Sequence, residues 1–150
     1  MEFAEVYFRK IPVKAVRPRT ILPKYAHLGD SGMDVHVHLD AEWTTLKAGT
    51  HRKFPLGFAL ELPPNVEAQI RPRSGLAERG ISAICGTIDS TYRGEVHAVL
   101  HNFSERDFRI SNGDKIAQIV FAPVIYVRLE PVPELSPSLR GENGFGSTGI

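Results

Sequence analysis

Prolines and glycines recur so often along this chain that long helices have little room. The sequence holds 11 prolines and 13 glycines in 150 residues, and both residue types interrupt helices. The runs between them are short and rich in branched and aromatic side chains, and several alternate apolar with polar residues, as strands with one buried face do. We therefore predict an all-β fold, a barrel or sandwich of short antiparallel strands. The predicted strands are Glu5–Phe8, Val35–Leu39, Phe54–Leu62, Val66–Ile70, Ile81–Ile84, Val96–Leu100, Lys115–Phe121 and Ile125–Leu129, with one helical turn at Gly75–Arg79.

Composition limits the class of protein and its partners. The length favours one domain, and 42% hydrophobic with 23% charged residues is ordinary for a globular protein. A net charge of +1 argues against a nucleic-acid partner, which favours a basic face, but it allows a small anionic ligand. The only cysteine, Cys85, excludes an intrachain disulfide and fits a reducing compartment; we expect it to be a small core residue. No signal-peptide pattern and no apolar run of about 18 residues occur, so we expect a cytoplasmic protein without a membrane partner.

The end of the chain combines groups that bind phosphate with a group that stacks on rings. We predict a body over residues 1–130 and, over residues 131–150, a proline-rich extended arm with a glycine-rich tail. In the tail, Arg140, Ser147 and Thr148 supply donors suited to phosphate, and Phe145 supplies a flat apolar face. Such a tail favours a nucleotide ligand, although a disordered glycine-rich terminus has the same composition.

Two segments of the body carry candidate phosphate chemistry. Asp34 follows a glycine turn, where it either closes the turn or faces a hydrated divalent cation. Arg71-Pro72-Arg73-Ser74-Gly75 places two cations, a hydroxyl and an open amide together. We interpret this second segment as a phosphate contact and not merely as a solvated basic loop.

Two later segments supply further candidates. Residues 85–95 predict a hairpin bounded by Gly86 and Gly94, in which Asp89 could act as a general base and Tyr92 could pack against a sugar; a turn aspartate beside a half-buried tyrosine would give the same spacing. Asp114 lies in the next turn, where it either caps the turn or holds an arginine. Gln118 follows as an amide in an apolar run. That amide bonds neighbouring backbone or points into a site.

Other features favour structural interpretations. His36 and His38 share a strand face without a third metal ligand at a recognisable spacing, and we expect that face to be solvated. Asn102-Phe103-Ser104 matches the N-glycosylation pattern, which we interpret as a chance match in a chain without a secretion signal.

These five segments, in this order, resemble the five motifs of the trimeric deoxyuridine triphosphate pyrophosphatases, the dUTPases. The resemblance runs from Asp30 to Gly149 and includes the strings PRSGLA, GTIDSTYRGEV, GDKIAQIVF and GFGSTG. The chain differs from the family pattern at Asn143, where glycine is usual, at Met33, where tyrosine or leucine is common, and at Ala83, where some relatives have asparagine.

The resemblance implies a jelly-roll-like β fold. It also implies a homotrimer with shared sites, closed by the arm of a neighbouring subunit, that uses Mg²⁺ to hydrolyse dUTP to dUMP and pyrophosphate. Such a reaction supplies dUMP for thymidylate synthesis and keeps uracil out of DNA. By resemblance, Asp89 activates the attacking water and Tyr92 lies under the deoxyribose, while Asp34 acts on the metal through water. The other implied substrate contacts are Ala83, Gly86, Thr87 and Ile88 at the uracil edge, Arg73, Ser74, Gly75 and Gln118 at the phosphates, Phe145 stacked on uracil, and Arg140, Gly146, Ser147 and Thr148 in the tail.

Two alternatives stay open at the level of sequence. A dCTP deaminase, or a bifunctional deaminase and dUTPase of the same superfamily, would need a glutamate base, for which Glu95 is the nearest candidate. A non-catalytic nucleotide-binding regulator is the other alternative.

Overall fold

Short strands make up most of the regular structure. The structure, a computed structural model, describes residues 9–142. The elements are β1 (Val13–Ala15), β2 (Gly32–His36), β3 (Trp43–Leu46), β4 (His51–Pro55), β5 (Phe58–Leu60), β6 (Val66–Arg71), α1 (Ser74–Ala77), β7 (Ile81–Ile84), β8 (Gly86–Ile88), β9 (His97–Asn102), β10 (Phe108–Ser111) and β11 (Lys115–Pro123). The predicted all-β class is confirmed, and the predicted helical turn corresponds to the four-residue α1.

The strands pair into four antiparallel sheets. One sheet has the order β2-β11-β6-β8 and a second has the order β4-β9-β7. Two further pairs, β1 with β5 and β10 with β3, complete the arrangement. Strand β11 is one of the two central strands of the four-stranded sheet because it pairs with β2 on one side and with β6 on the other.

Alternation of apolar and polar residues directs one face of each long strand into a common core. In β6, Val66, Ala68 and Ile70 are buried, and the residues between them are only partly covered. Phe54 and Phe58, which have no exposed surface, are among the largest buried side chains. Fully burying such a side chain stabilises the folded state by roughly 1.5–3 kcal/mol. The apolar positions of the alternating pattern, from which the strands were predicted, are those that this core buries.

Several predicted strand bounds were wrong. The run Phe54–Leu62 is divided, because β4 ends at Pro55 and β5 begins at Phe58. Gly57 lies between them with φ of +79°, and a Cβ there would lie 2.5 Å from the Thr20 hydroxyl oxygen. Of the run Val35–Leu39, only Val35 and His36 lie in a strand, because β2 begins at Gly32 and ends at His36.

The run Ile125–Leu129 lies in no strand of the described part of the chain. The side chains of Ile125 and Leu129 are 84% and 88% exposed, so this apolar segment has no core of its own to pack against. The predicted strand Glu5–Phe8 falls outside the described residues. Between residues 9 and 142, no helix is long and apolar enough to cross a membrane.

Candidate active site

One end of the four-stranded sheet brings together residues from four of the sequence motifs. Gln118 of β11 lies opposite Asp34 of β2 on one side and opposite Arg71 of β6 on the other. Ile70, one residue earlier on β6, lies opposite Gly86 of β8. Because neighbouring strands are about 4.8 Å apart, this pairing sets the four segments side by side as one row.

Asp34 is held by two cations. The Arg73 guanidinium donates from Nε to Asp34 Oδ1 at 2.9 Å, and Lys115 Nζ lies 2.9 Å from Asp34 Oδ2. Burial alone would raise the pKa of Asp34, but the hydrogen bond from Lys115 and the positive charge of Arg73 outweigh it, so the pKa lies below the usual carboxyl value. Asp34 is therefore an ionised anchor for Arg73, whose Nη1 also donates to the Lys115 carbonyl at 3.0 Å.

The segment after β6 leaves its backbone accessible. Arg73 is extended, with φ of −98° and ψ of 130°, and its carbonyl oxygen accepts the amides of Leu76 and Ala77 in the first turn of α1. Ser74 and Gly75 are exposed, and a Cβ built on Gly75 would meet nothing within 4 Å. A ligand can approach this backbone closely.

The Gln118 side chain holds the segment after β6 against the sheet. Its Nε2 donates to the Pro72 carbonyl at 2.8 Å, so the backbone alternative for this amide is the one that the structure shows. Its Oε1 lies against Gly32, where an added Cβ would be 2.4 Å away. Gly32 is thus required for close packing, and Gln118 fixes the position of the loop before Arg73.

The expected hairpin over residues 85–95 does not form. Strand β8 pairs with β6 and β7 pairs with β9, so the chain passes from one sheet to another at Cys85. Cys85 is exposed, and its prediction as a core residue was wrong because this crossing lies at the surface. Among residues 9–142, β8 is the last strand of its sheet, so within this part of the chain no strand pairs with the backbone donors and acceptors along its outer edge.

Asp89 and Tyr92 belong to the tight turn that follows β8. The Tyr92 amide donates to the Asp89 carbonyl at 3.0 Å, and the Asp89 side chain is exposed. The Tyr92 hydroxyl donates to the Glu95 carbonyl at 2.9 Å. The ring lies close to Gly94, where a Cβ would be 2.6 Å from Cζ, yet Tyr92 keeps 45% of its surface exposed. One face of a fixed ring is thereby presented outward.

The remaining predicted contacts differ in accessibility. Ala83 and Ile88 are buried, so only their backbone can contact a ligand, whereas Gly86 and Thr87 are exposed. Arg140 is exposed and precedes Gly141, whose amide donates to the Ser138 carbonyl at 3.2 Å. The predicted tail contacts Phe145, Gly146, Ser147 and Thr148, like Asn143, lie outside the described residues.

Sequence reasoning missed Lys115 and misjudged two other residues. Lys115 follows the Asn112-Gly113-Asp114 turn, which Asp114 caps by accepting the Ser111 amide at 2.8 Å; the only available signal was a cation directly after this turn. His36 is half-buried, whereas a solvated face was expected. Burial is the main cause that lowers the pKa of His36, and the positive charge of Lys115 lowers it further. His38 is likewise half-buried.

Both carboxylate oxygens of Glu95, the candidate base of a deaminase, accept hydrogen bonds within the protein. Its Oε1 accepts the Arg17 Nε at 2.6 Å and the Gly57 amide at 2.9 Å, and its Oε2 accepts Arg17 Nη2 at 3.0 Å. Burial raises the pKa of Glu95, but the hydrogen bonds from Arg17 and Gly57 outweigh burial and lower it. A carboxylate that is paired with an arginine and a backbone amide in this way is poorly placed to transfer protons to the amine of a cytosine.

The fold and motifs match known proteins across nearly the whole chain. A protein-family model described as dUTPase matches residues 19–149. The deoxyuridine 5'-triphosphate nucleotidohydrolase of Gloeothece citriformis is 46% identical over 144 residues, covering 94% of this chain and 97% of the relative. The protein of the same name in Clostridium acetobutylicum is 45% identical over 143 residues, covering 93% and 97%.

The solved structures give the same result for the fold. A variant of the Staphylococcus bacteriophage 80alpha dUTPase with dUpNHpp has a TM-score of 0.86 at 24% identity, covering 95% of this chain and 100% of that chain. This likeness confirms the predicted fold class. Together with the family match, it defines the class of protein: the chain belongs to the dUTPase family.

Proposed function

We propose that the protein hydrolyses dUTP to dUMP and pyrophosphate. The observation that carries this proposal is the strand pairing across the four-stranded sheet. Gln118 lies opposite both Asp34 and Arg71, and Ile70, the residue before Arg71, lies opposite Gly86. Four motifs that are distant in sequence meet there, as a nucleotide site requires. Membership of the dUTPase family supports the same substrate.

The phosphate end of the substrate would lie on the loop after β6. Arg73, Ser74 and Gly75 are the contacts, and Gln118 holds their backbone through Pro72. Phosphoryl transfer needs little covalent chemistry from the protein and depends on fixed positive charge near the developing negative charge. Arg73, prepositioned by Asp34 at 2.9 Å, provides that charge with little reorganisation.

The nucleoside would lie along β8 and the turn after it. The open edge of β8, with Ala83, Gly86, Thr87 and Ile88 contributing backbone groups, suits the donors and acceptors of a uracil edge. Groups left unpaired by a wrong base would disfavour it strongly. Tyr92 would lie under the deoxyribose and leave no space for a 2′-hydroxyl, and Asp89, exposed in the turn, would deprotonate the water that attacks the α-phosphorus.

The carboxylate of Asp34 suits a hydrated Mg²⁺ ion that binds together with the triphosphate. Among residues 9–142, no group of three or more histidine, cysteine or acidic side chains could hold a metal ion alone. Mg²⁺ keeps most of its waters, and each carboxylate oxygen of Asp34 has a second lone pair beside its bond to a cation. Asp34 would therefore contact the hydrated ion through water, and the ion would neutralise phosphate charge.

Shared sites in a homotrimer would explain the exposed apolar segment after β11. Residues 124–142 lie in no strand or helix, and Val127 and Leu135 are 77% and 87% exposed. A concentration of exposed apolar side chains marks a surface that packs on a partner, which in a trimer is the next subunit. The arm over residues 131–150 would then carry Arg140, Phe145, Gly146, Ser147 and Thr148 to a neighbour's site. We place this activity in the cytoplasm, with no nucleic-acid or membrane partner.

The test is a pyrophosphate-release assay with dUTP, dTTP, dCTP and UTP in the presence of Mg²⁺. We expect release from dUTP, with the other three substrates lower by several orders of magnitude. Ammonia release from dCTP is measured in parallel, with Glu95→Gln as a control for a deaminase base. Ammonia production, or equal rates with dUTP and UTP, would contradict the proposal.

A further inference from the structure

Glu95 and Arg17 form a paired, partly buried contact beside the candidate site. Two parallel hydrogen bonds join them, from Arg17 Nε to Oε1 at 2.6 Å and from Nη2 to Oε2 at 3.0 Å. The Glu95 side chain is only 17% exposed. Such two-point guanidinium–carboxylate pairs fix orientation as well as charge. The Glu95 side chain therefore has one defined position.

The Arg17 end of this pair is itself fixed. The Thr20 hydroxyl donates to the Arg17 carbonyl at 2.8 Å and lies 2.9 Å from the Gly57 carbonyl oxygen. The amide of Gly57 donates to Glu95 Oε1 at 2.9 Å. Glu95 is thus held from two separate segments, the chain after β1 and the turn between β4 and β5.

The backbone of Glu95 in turn holds Tyr92. The Tyr92 hydroxyl donates to the Glu95 carbonyl oxygen at 2.9 Å, and His97 Nδ1 lies 2.8 Å from the same oxygen. Gly94, between them in sequence, lets the ring lie against the backbone because a Cβ there would be 3.0 Å from Cε2 and closer to Cζ. Any shift of the Glu95 backbone moves the Tyr92 ring.

We propose that Arg17 and Glu95 are positioning residues that set the preference for a deoxyribose over a ribose by fixing Tyr92. This inference rests on the proposed function, in which Tyr92 lies under the sugar. Exclusion of a single hydroxyl depends on the ring position to a fraction of an ångström, so a loosened anchor admits the larger sugar. Arg17 precedes residues 19–149, the part that matches the family model.

The kinetic test compares Arg17→Met and Glu95→Gln with Arg52→Met. Arg52 is an exposed arginine that donates to the Thr44 hydroxyl, so Arg52→Met controls for loss of a guanidinium. We expect the ratio of kcat/KM for dUTP to that for UTP to fall about tenfold in the two test variants and to stay unchanged in Arg52→Met. In a Tyr92→Phe background, which removes the hydroxyl bond, Arg17→Met should have little further effect on this ratio.

A structural readout separates this inference from the proposed function. With 3-fluorotyrosine incorporated, the fluorine NMR resonance of Tyr92 is assigned by its loss in Tyr92→Phe. We expect it to shift or broaden in ligand-free Arg17→Met and not in Arg52→Met. An unchanged resonance, an unchanged substrate ratio in folded Arg17→Met, or additive effects of Arg17→Met and Tyr92→Phe would overturn the inference. Failure of the wild-type protein to prefer dUTP would instead refute the proposed function.

Discussion

Asn102 tests whether a buried polar side chain holds the loop after β9. The residue has no exposed surface, and all of its hydrogen-bonding capacity is used. Its Nδ2 donates to the carbonyl oxygens of Leu46 at 3.0 Å and Arg106 at 2.8 Å. Its Oδ1 accepts the Ser104 amide at 3.0 Å and the Ser104 hydroxyl at 2.7 Å. The chance match to a glycosylation pattern is therefore a structural asparagine.

The cost of Asn102→Ala follows from the groups that it leaves unpaired. The Arg106 carbonyl keeps a donor, because the Ser104 hydroxyl also lies 3.0 Å from it. The Leu46 carbonyl lies opposite Phe108 in the ladder of β3 and β10, so the Ser104 amide is the group that loses its partner. One buried unsatisfied group costs about 1–3 kcal/mol, and each of the other lost hydrogen bonds costs about 1 kcal/mol or less. The free energy of unfolding should therefore fall by about 3 kcal/mol.

The control is Asn112→Ala, which removes one exposed bond, from the Leu39 amide to Asn112 Oδ1 at 2.8 Å. We expect this variant to lose about 1 kcal/mol. Thermal and urea unfolding are compared at one protein concentration, because association would make the apparent stability concentration-dependent. Equal losses in the two variants, or a loss below about 1 kcal/mol for Asn102→Ala, would refute the reasoning.

Three further predictions concern catalysis, the arm and acid stability. Asp89→Asn should retain binding of a non-hydrolysable dUTP analogue, measured by titration calorimetry, while turnover falls at least about 100-fold; full turnover would exclude Asp89 as the base. Deleting residues 140–150 should leave the unfolding transition nearly unchanged, since residues 131–142 are exposed, while pyrophosphate release becomes poor; loss of the folded state would show that the tail is structural. Because the pKa of Glu95 is lowered in the folded protein, its pairing with Arg17 stabilises the fold above the unfolded pKa and is lost as the pH falls through the folded value, which lies below the usual pKa of a glutamate. The stability difference between wild type and Arg17→Met, measured by urea unfolding, should therefore shrink in acid, and a difference independent of pH would contradict this.

Alternation in the sequence predicted the strands that have one buried face. Ile81–Ile84 coincides with β7, and Val66–Ile70 differs from β6 by one residue. It did not reveal β3 and β10, which pair with each other, because each strand has only four residues and two apolar side chains, too few to show a period. The exposed run Ile125–Leu129 resembled a strand, since a local pattern cannot tell whether the surface that covers it belongs to the same chain.

The candidate site could be predicted by residue type but not by contact. Motif resemblance selected Asp34, Arg73 and Gln118. The sheet register places Asp34 opposite Gln118, whereas Arg73 joins them through its side-chain bond to Asp34. The ion pairs of Asp34 with Arg73 and Lys115 depend on side chains that are 39 and 81 residues away in sequence, so spacing carries no signal of them. Arg17 and Glu95, 78 residues apart, were missed as partners for the same reason.

The position of Cys85 makes it a natural site for attaching a single fluorescent dye. It is the sole thiol of the sequence, and it is exposed where the chain passes from β7 to β8. A maleimide dye would therefore label one atom of the native protein, without mutagenesis, next to Gly86 and Thr87. Emission from that dye could time the arrival and departure of nucleotide in a stopped-flow instrument.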